Sequence, residues 1–223
     1  MYRIITVERE FGCGAGEIAE KLAHHLGWKL WDHALTEEIA RRANVDCSTV
    51  ERCDDRVDST LHRLARVFWR VSYERHSHLA DTFDADCMVE MVQQVLQKAA
   101  TEGNCVIVGR GAPYFLRERC DAFHVFLYAA RSEKIRRLKA GGKAEAEAEE
   151  MVENVDRDRI AFVKRYYGAD WPTRSLYHVM LNTAVGNDSV IETILNTMRT
   201  LENGPCISTP SQIETSVTNS SRR

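Results

Sequence analysis

Apolar positions along the chain form short continuous runs that alternate with longer stripes of helical spacing. The runs, which are typical of strands buried on both faces, lie at residues 3–7, 28–31, 105–108, 123–128 and 178–182. The stripes predict helices at residues 17–25, 34–43, 84–100, 132–140, 144–167 and 188–201. Strands and helices in alternation predict an α/β fold with a parallel sheet.

Residues 44–103 interrupt this alternation. They show no strand pattern, and no glycine lies between Gly27 and Gly103. Apolar residues recur there at helical spacing, which predicts a helical insertion that partly covers the sheet and partly forms a binding lobe. The apolar residues around Phe68 fit two interpretations, a homodimer interface and packing within the chain.

The end of the chain has a different composition. From Glu202 onwards it contains no aromatic residue and is rich in Ser, Thr and Asn. We therefore expect residues 202–223 to form a disordered tail that follows a single domain of residues 1–201.

Overall composition narrows the classes of function. The 223 residues are 44% hydrophobic and 28% charged, as in an ordinary globular protein. The formal net charge of −3 argues against a nucleic-acid binder, and the lack of a long apolar run argues against a membrane span. The seven cysteines show no C-x-x-C spacing, which predicts reduced thiols in a cytoplasmic protein with no metal site.

Three of the twelve glycines cluster at Gly12, Gly14 and Gly16, between the first strand and the first helix. Such a turn directs backbone N–H groups towards a helix N-terminus, where anions bind. This segment matches the pattern G-x-x-x-x-G-K-[ST] of phosphate-binding loops poorly. Arg9 stands at the position of the first glycine and Ala15 at the position of the lysine. The residues alone leave two interpretations, a phosphate cradle and an ordinary strand-to-helix turn.

Three sequence blocks, in matching order, resemble the cytidylate kinase-like family. Residues 8–19 (E-R-E-F-G-C-G-A-G-E-I-A) are similar to the family's S-R-E-F-G-S-G-G-x-E-I-A, and residues 106–112 read V-I-V-G-R-G-A as the family does. Residues 156–183 resemble the family's ending, D-x-x-R…Y-x-G-x-D-W…Y…L-N-T. The resemblance covers residues 2–200 and favours the phosphate cradle.

This resemblance implies a three-layer α/β fold like that of P-loop NTPases, with a five-stranded parallel sheet. It also implies a nucleoside monophosphate (NMP)-binding helical insertion at residues 44–103 and a lid at residues 141–172. Members of the family transfer the γ-phosphoryl group of ATP to a nucleoside monophosphate, which the family name gives as CMP or dCMP. We therefore expect ATP and Mg²⁺ as cofactors and small nucleotides as partners.

Arginines are the candidate catalytic residues, because phosphoryl transfer depends on positive charge around the phosphates. Arg9 flanks the glycine loop and is our candidate for supplying the charge of the missing lysine. Arg110 follows the end of a strand, where a guanidinium can clamp the acceptor phosphate; the alternative is a surface ion pair. Arg159 is the strongest candidate in the lid, and the alternative there is a solvated helix face.

Further candidates bind the substrates. Asp32 ends a strand beside the loop and is a candidate for binding the acceptor, or Mg²⁺ through water; alternatively it caps the next helix. Arg157 of the lid is expected to bind ATP together with the loop and the first helical turn. These residues of the loop and turn are Gly12, Cys13, Gly14, Ala15, Gly16 and Glu17.

The chain also departs from the pattern of active kinases. Ala15 replaces the loop lysine, and Gly16 and Glu17 carry no hydroxyl for Mg²⁺. Val108 stands where related kinases place an aspartate, and Glu17 is our candidate for holding Mg²⁺ through water instead. Two functions stay open at this point: an active nucleoside monophosphate kinase, and a nucleotide-binding sensor or pseudokinase with a degenerate loop and little turnover.

Overall fold

The computed structural model describes residues 1–32, 34–35, 38 and 85–202, with side chains described from residue 89 onwards in the last of these ranges. Residues 34, 35 and 38 are helical, in agreement with the helix predicted for that segment. The predictions for most of the insertion, residues 44–84, and for the tail after Glu202 lie outside the described residues.

The elements are numbered in chain order over these ranges. The strands are β1 (Ile4–Arg9), β2 (Lys29–Trp31), β3 (Cys105–Val108), β4 (Ala122–Tyr128) and β5 (Val179–Asn182). The helices described in full are α1 (Ala15–Leu26), α2 (Ala85–Glu102), α3 (Ala112–Phe115), α4 (Arg131–Ala140), α5 (Glu145–Tyr167) and α6 (Asn187–Glu202). Two 3₁₀ turns, Arg174–Leu176 and Thr183–Val185, flank β5.

The strands form one sheet in the order β2-β3-β1-β4-β5, and every neighbouring pair is parallel. β1 lies at the centre, where Thr6 stands opposite Ile107 on one side and His124 on the other. Because the strands are parallel, their carboxyl ends share one edge, which is where open α/β sheets bind ligands. Arg9 and Arg110 lie at this edge, at the end of β1 and after β3.

Each face of the sheet packs against its own apolar core, which gives the three expected layers. One face is covered by α1 and α6 through side chains such as Ile18 and Ile194. The other face is covered by α2 and α5 through side chains such as Leu96 and Phe162. Within the described ranges, no helix is long and apolar enough to cross a membrane.

The five predicted strands and the helices predicted around α1, α2, α4, α5 and α6 are confirmed. Gly27 ends α1 as predicted, with φ at 64° and its N–H bonded to the last turn. The short helix α3 was not predicted, because four residues are too few to show a helical period. Glu202 was assigned to the tail, yet it belongs to α6 and accepts a hydrogen bond from the backbone N–H of Tyr2 at 3.0 Å.

Candidate active site

The glycine loop, residues 10–16, joins β1 to α1 by a turn that requires glycine at two positions. Gly12 and Gly14 have φ values of 75° and 81°, a left-handed conformation that costs other residues about 1–2 kcal/mol. Gly14 is the N-cap of α1, so the free N–H groups of the first helical turn begin at the loop. Cys13 is buried and its Sγ donates to the Leu127 carbonyl at 3.6 Å, while burial raises the pKa of its thiol.

Helix α5 holds the first half of the loop. Oδ1 of Asp156 accepts a hydrogen bond from the backbone N–H of Phe11 at 2.8 Å. Nη1 of Arg159 donates to the carbonyl of Arg9 at 2.7 Å and to Asp156 at 2.9 Å. The predicted lid helix is therefore attached to the loop by main-chain contacts on both sides of Glu10.

Helix α4 and the turn after β5 hold the second half of the loop. Nη1 of Arg137 donates to the Cys13 carbonyl and to Oγ1 of Thr183, the latter at 2.9 Å. Oγ1 of Thr183 also donates to the Cys13 carbonyl, at 2.6 Å. Nζ of Lys134, itself buried, lies 2.6 Å from the carboxylate of Glu10. Each loop residue from Arg9 to Cys13, apart from Gly12, thus has a bonded partner on another element.

The guanidinium of Arg9 has no hydrogen-bond or ion-pair partner among the residues that the structure describes. The residue is only 9% exposed. Its Nη1 packs against Gly109, where an added Cβ would lie 2.0 Å away, so only glycine fits beside it. Gly109, Arg110 and Gly111 all have positive φ values, between 60° and 68°, and turn the chain tightly around this guanidinium.

Arg110 and Arg159 lie close enough to Arg9 to repel it electrostatically. Burial lowers the pKa of Arg110 to about 10, with a further lowering by Arg9 and an opposing contribution from Asp32. Burial also lowers the pKa of Arg159, and Arg9 adds to that effect. The structure therefore brings the three predicted arginines together at the carboxyl edge of the sheet. Burial of three like charges in one place is costly unless an anion compensates them.

A carboxylate lies within this arginine cluster, which we define as Arg9, Arg110 and Arg159. Glu8 is 4% exposed, and its Oε1 accepts a hydrogen bond from the backbone N–H of Arg9 at 3.1 Å. Burial raises the pKa of Glu8, and the charges of Arg159 and Arg9 oppose that rise. The cluster thus carries an excess of positive charge, with Glu8 as its internal counter-charge.

Aromatic side chains line the same edge on the face covered by α2 and α5. The hydroxyls of Tyr114 and Tyr177 lie 3.4 Å apart, and Tyr167 packs so closely on Gly111 that an added Cβ would lie 2.6 Å from its ring. The ring of Trp171 lies 6.0 Å from the guanidinium carbon of Arg159. These rings provide an apolar wall beside the arginine cluster.

The remaining predicted residues lie apart from the cluster or on its margin. Asp32 follows β2 and is partly buried. It lies near enough to Arg110 to raise the pKa of that guanidinium, against the larger lowering by burial. Glu17 is exposed and pairs with Lys21 at 2.9 Å, which lowers the pKa of Glu17. Arg157 is exposed and donates to the side chain of Asn154. The roles assigned to Asp32, Glu17 and Arg157 stay predictions.

Sequence reasoning missed four residues that fix the loop: Lys134, Arg137, Asp156 and Thr183. Asp156 contacts Arg159 on its own helix and also the backbone of Phe11. Asp156 and Thr183 both belong to the third resemblance block, so residues of that block contact the loop of the first. No signal in the sequence marked Lys134.

Comparison with known proteins identifies the family and the fold. The sequence model described as the cytidylate kinase-like family matches residues 4–185. No curated protein matches the sequence. An uncharacterized protein from Eubacterium ventriosum ATCC 27560 is 20% identical, with a TM-score of 0.63 over 88% of this chain and 98% of that one. Shikimate kinase from Acinetobacter baumannii, in complex with shikimate, is 16% identical, with a TM-score of 0.52 over 91% of this chain and 96% of that one. At these identities the structural likeness shows the fold, which is that of P-loop kinases.

Proposed function

Since the chain belongs to the cytidylate kinase-like family, we propose that it transfers the γ-phosphoryl group of ATP to a nucleoside monophosphate, with CMP or dCMP as the acceptor. The observation that carries the proposal is the buried guanidinium of Arg9, which has no described partner and lies between the glycine loop and Gly109.

Among the described residues the Arg9 guanidinium has no hydrogen-bond or ion-pair partner that would repay its lost hydration, and the charge of Glu8 offsets only part of that cost. A phosphate oxygen beside Arg9 would supply the missing hydrogen bonds and the opposite charge. The neighbouring N–H groups at the start of α1 add donors and the positive end of the helix dipole. Arg9 thereby supplies the positive charge that the lysine of other phosphate loops provides, at a place where Ala15 has no charge.

Arg110 is suited to the second substrate. Its guanidinium is a planar fork that binds two phosphate oxygens at once, and the positive φ values of Gly109 and Gly111 allow the tight turn that places it after β3. Arg159 touches the loop carbonyl of Arg9 and lies beside Trp171, so it can serve both phosphates. Positive charge on both sides of a transferring phosphoryl group is the main catalytic requirement of this reaction.

Mg²⁺ fits the site only as a companion of the nucleotide. Within the part of the chain that the structure describes, no group of three or more Asp, Glu, His or Cys side chains is arranged to hold a metal ion. Mg²⁺ commonly takes one or two carboxylates and completes its shell with phosphate oxygens and water. Asp32 would be that carboxylate, and the ion would neutralise charge on the phosphates.

A second candidate function, nucleotide binding with little turnover, is favoured by one observation. Ala15 is buried and Gly16 has open space around it, so neither position presents a polar group to the phosphates. The two candidates predict the same binding and differ only in catalysis.

The test is a coupled assay with the full chain, ATP and Mg²⁺ against CMP, dCMP, UMP, AMP and GMP. The proposal expects turnover that is fastest with CMP or dCMP. Binding of ATP by calorimetry without turnover on any acceptor selects the second candidate, and absence of both overturns the proposed site.

Substitution of Arg9 tests the residue that carries the proposal. We expect Arg9→Gln to lower kcat/KM at least ~100-fold, since loss of one charged contact to a transition state commonly costs that much. Arg3→Gln is the matched control, because Arg3 is exposed, precedes β1 at the opposite edge of the sheet and donates to the Glu102 carbonyl. Equal activity of the two variants would contradict the role of Arg9.

A further inference from the structure

The strand end that carries Arg9 also carries a buried carboxylate for which the proposed reaction has no use. Glu8 is 4% exposed and, within the described part of the chain, accepts one hydrogen bond, from the backbone N–H of Arg9. Among the described residues, no ion pair joins its carboxylate to a cation. A buried carboxylate that is not paired is costly, and such groups are commonly retained for function.

Charges of both signs act on Glu8 from the surrounding elements. Arg159 and Arg9 stabilise its ionised form, whereas Asp156 disfavours it. Burial is the largest effect and raises the pKa of the Glu8 carboxyl. The charged and titratable groups that face Glu8 are Arg9, Arg110, Asp156, Arg159, Tyr114, Tyr167 and Tyr177.

We propose that Glu8 sets the anion affinity of the arginine cluster, as an internal counter-charge that weakens phosphate binding and so allows release of the nucleotide. The inference rests on the proposed function, since it assumes that phosphates bind at this cluster. A negative charge on Glu8 lowers the positive potential at the cluster and repels an incoming anion. Glu8 acts through the arginines and is a positioning and affinity-setting residue, without contact to the phosphate.

A counter-charge role and a purely structural role predict opposite changes in anion affinity when Glu8 is removed. If Glu8 only supported the arginines, its removal would loosen the cluster and weaken anion binding. If Glu8 is a counter-charge, its neutralisation strengthens anion binding. Neutralisation can come from substitution or from protonation at low pH. Because burial raises the pKa of Glu8, protonation begins at a higher pH than for an exposed glutamate.

The test measures binding of sulfate to the full chain by calorimetry, at constant ionic strength adjusted with chloride. Sulfate does not titrate in the working range, so any pH dependence belongs to the protein. We expect Glu8→Gln to bind sulfate ~10-fold more tightly than the native chain at about pH 8, as one charge removed at short range allows. Glu118→Gln, an exposed carboxylate of equal charge, should leave the affinity unchanged. Equal or weaker binding by Glu8→Gln overturns the proposal.

The pH dependence of sulfate binding gives a second test, and its first measurement needs only the native chain. The native chain should bind sulfate more tightly at about pH 5 than at about pH 8, and Glu8→Gln should lose most of this dependence. Glu8→Ser, which has a smaller and neutral side chain, checks the direction of the change in sulfate affinity if the glutamine variant fails to fold. A native affinity that does not increase on acidification overturns the proposal.

Arg9→Gln separates this proposal from the proposed function. If Arg9→Gln abolishes sulfate binding while Glu8→Gln leaves it unchanged, only the role of Glu8 is wrong. If Arg9→Gln binds sulfate as the native chain does, the anion site itself is wrong.

Discussion

The carboxylate of Asp156 on α5 binds the backbone N–H of Phe11 in the glycine loop across 145 residues of sequence, at 2.8 Å. The same carboxylate bonds Arg159 at 2.9 Å and lies 3.4 Å from Nζ of Lys134. One acidic side chain therefore fixes the loop, compensates one arginine of the cluster and joins α4 to α5.

We expect Asp156→Asn to destabilise the fold by ~3 kcal/mol, because the buried Arg159 loses its ion pair and Lys134 keeps only its pair with Glu10. Urea unfolding measures the change. Glu153→Gln on the same helix is the control, since its ion pair with Arg131 is exposed and worth ~0–1 kcal/mol. A similar loss in both variants would show that the buried position of Asp156 does not matter.

Gly109→Ala should abolish phosphoryl transfer with only a modest loss of stability. The added Cβ would lie 2.0 Å from Nη1 of Arg9 and displace the guanidinium. Gly27→Ala is the matched control, because its φ of 64° is close to the 67° of Gly109 and nothing lies within 4 Å of its added Cβ. Both variants should lose about 1–2 kcal/mol from backbone strain, and only Gly109→Ala should lose kcat/KM. Retained activity in Gly109→Ala would contradict the packing of Arg9.

Thr183→Val should raise the KM for ATP more than it lowers kcat. The valine keeps the volume but removes the hydroxyl that bonds the Cys13 carbonyl and receives Arg137, which loosens the second half of the loop. Stability should fall by about 1–3 kcal/mol, as for other buried groups left without a partner. Thr193→Val, which removes an exposed hydroxyl bonded within α6, is the control for both measurements. An unchanged KM would separate Thr183 from nucleotide binding.

Stability should decrease on acidification through the buried His124 and the partly buried His178. Burial lowers the pKa of His124 to about 3 from its usual 6.5 and also lowers the pKa of His178. The unfolded chain therefore binds more protons below about pH 6.5, and the free energy of unfolding falls as the pH drops towards the folded values. For His124 the loss by about pH 5 is ~2 kcal/mol.

Urea unfolding at a series of pH values checks this expectation. The ring Nδ1 of His124 lies 2.7 Å from Oγ1 of Thr6, and the backbone N–H of His124 donates to Nδ1 of His178 at 3.0 Å. His124→Gln should lower stability at neutral pH and flatten its dependence on pH. A dependence as steep as that of the native chain would mean that other groups cause it.

Local patterns in the sequence predicted the strands, most helix ends and the glycine turn, because each of these depends on neighbouring residues. The predicted grouping of Arg9, Arg110 and Arg159 is observed, and it followed from the shared carboxyl edge of parallel strands together with the family resemblance. The partners that fix the loop could not be predicted, since Asp156 and Thr183 reach it from more than a hundred residues away. The pair of Glu17 and Lys21 is different, because it is an exposed contact between residues four apart on one helix and follows from the helical period.

The attachment of α5 to the glycine loop restricts how this kinase-like fold can close over its substrates. A rigid rotation of α5 would break both the Phe11–Asp156 and the Arg9–Arg159 contacts. Motion that preserves these contacts must therefore lie before α5, where Gly142 has a φ of 92° and open space around it. The moving part of the predicted lid is then the short segment before Glu145, and α5 stays in place as a wall of the proposed nucleotide site.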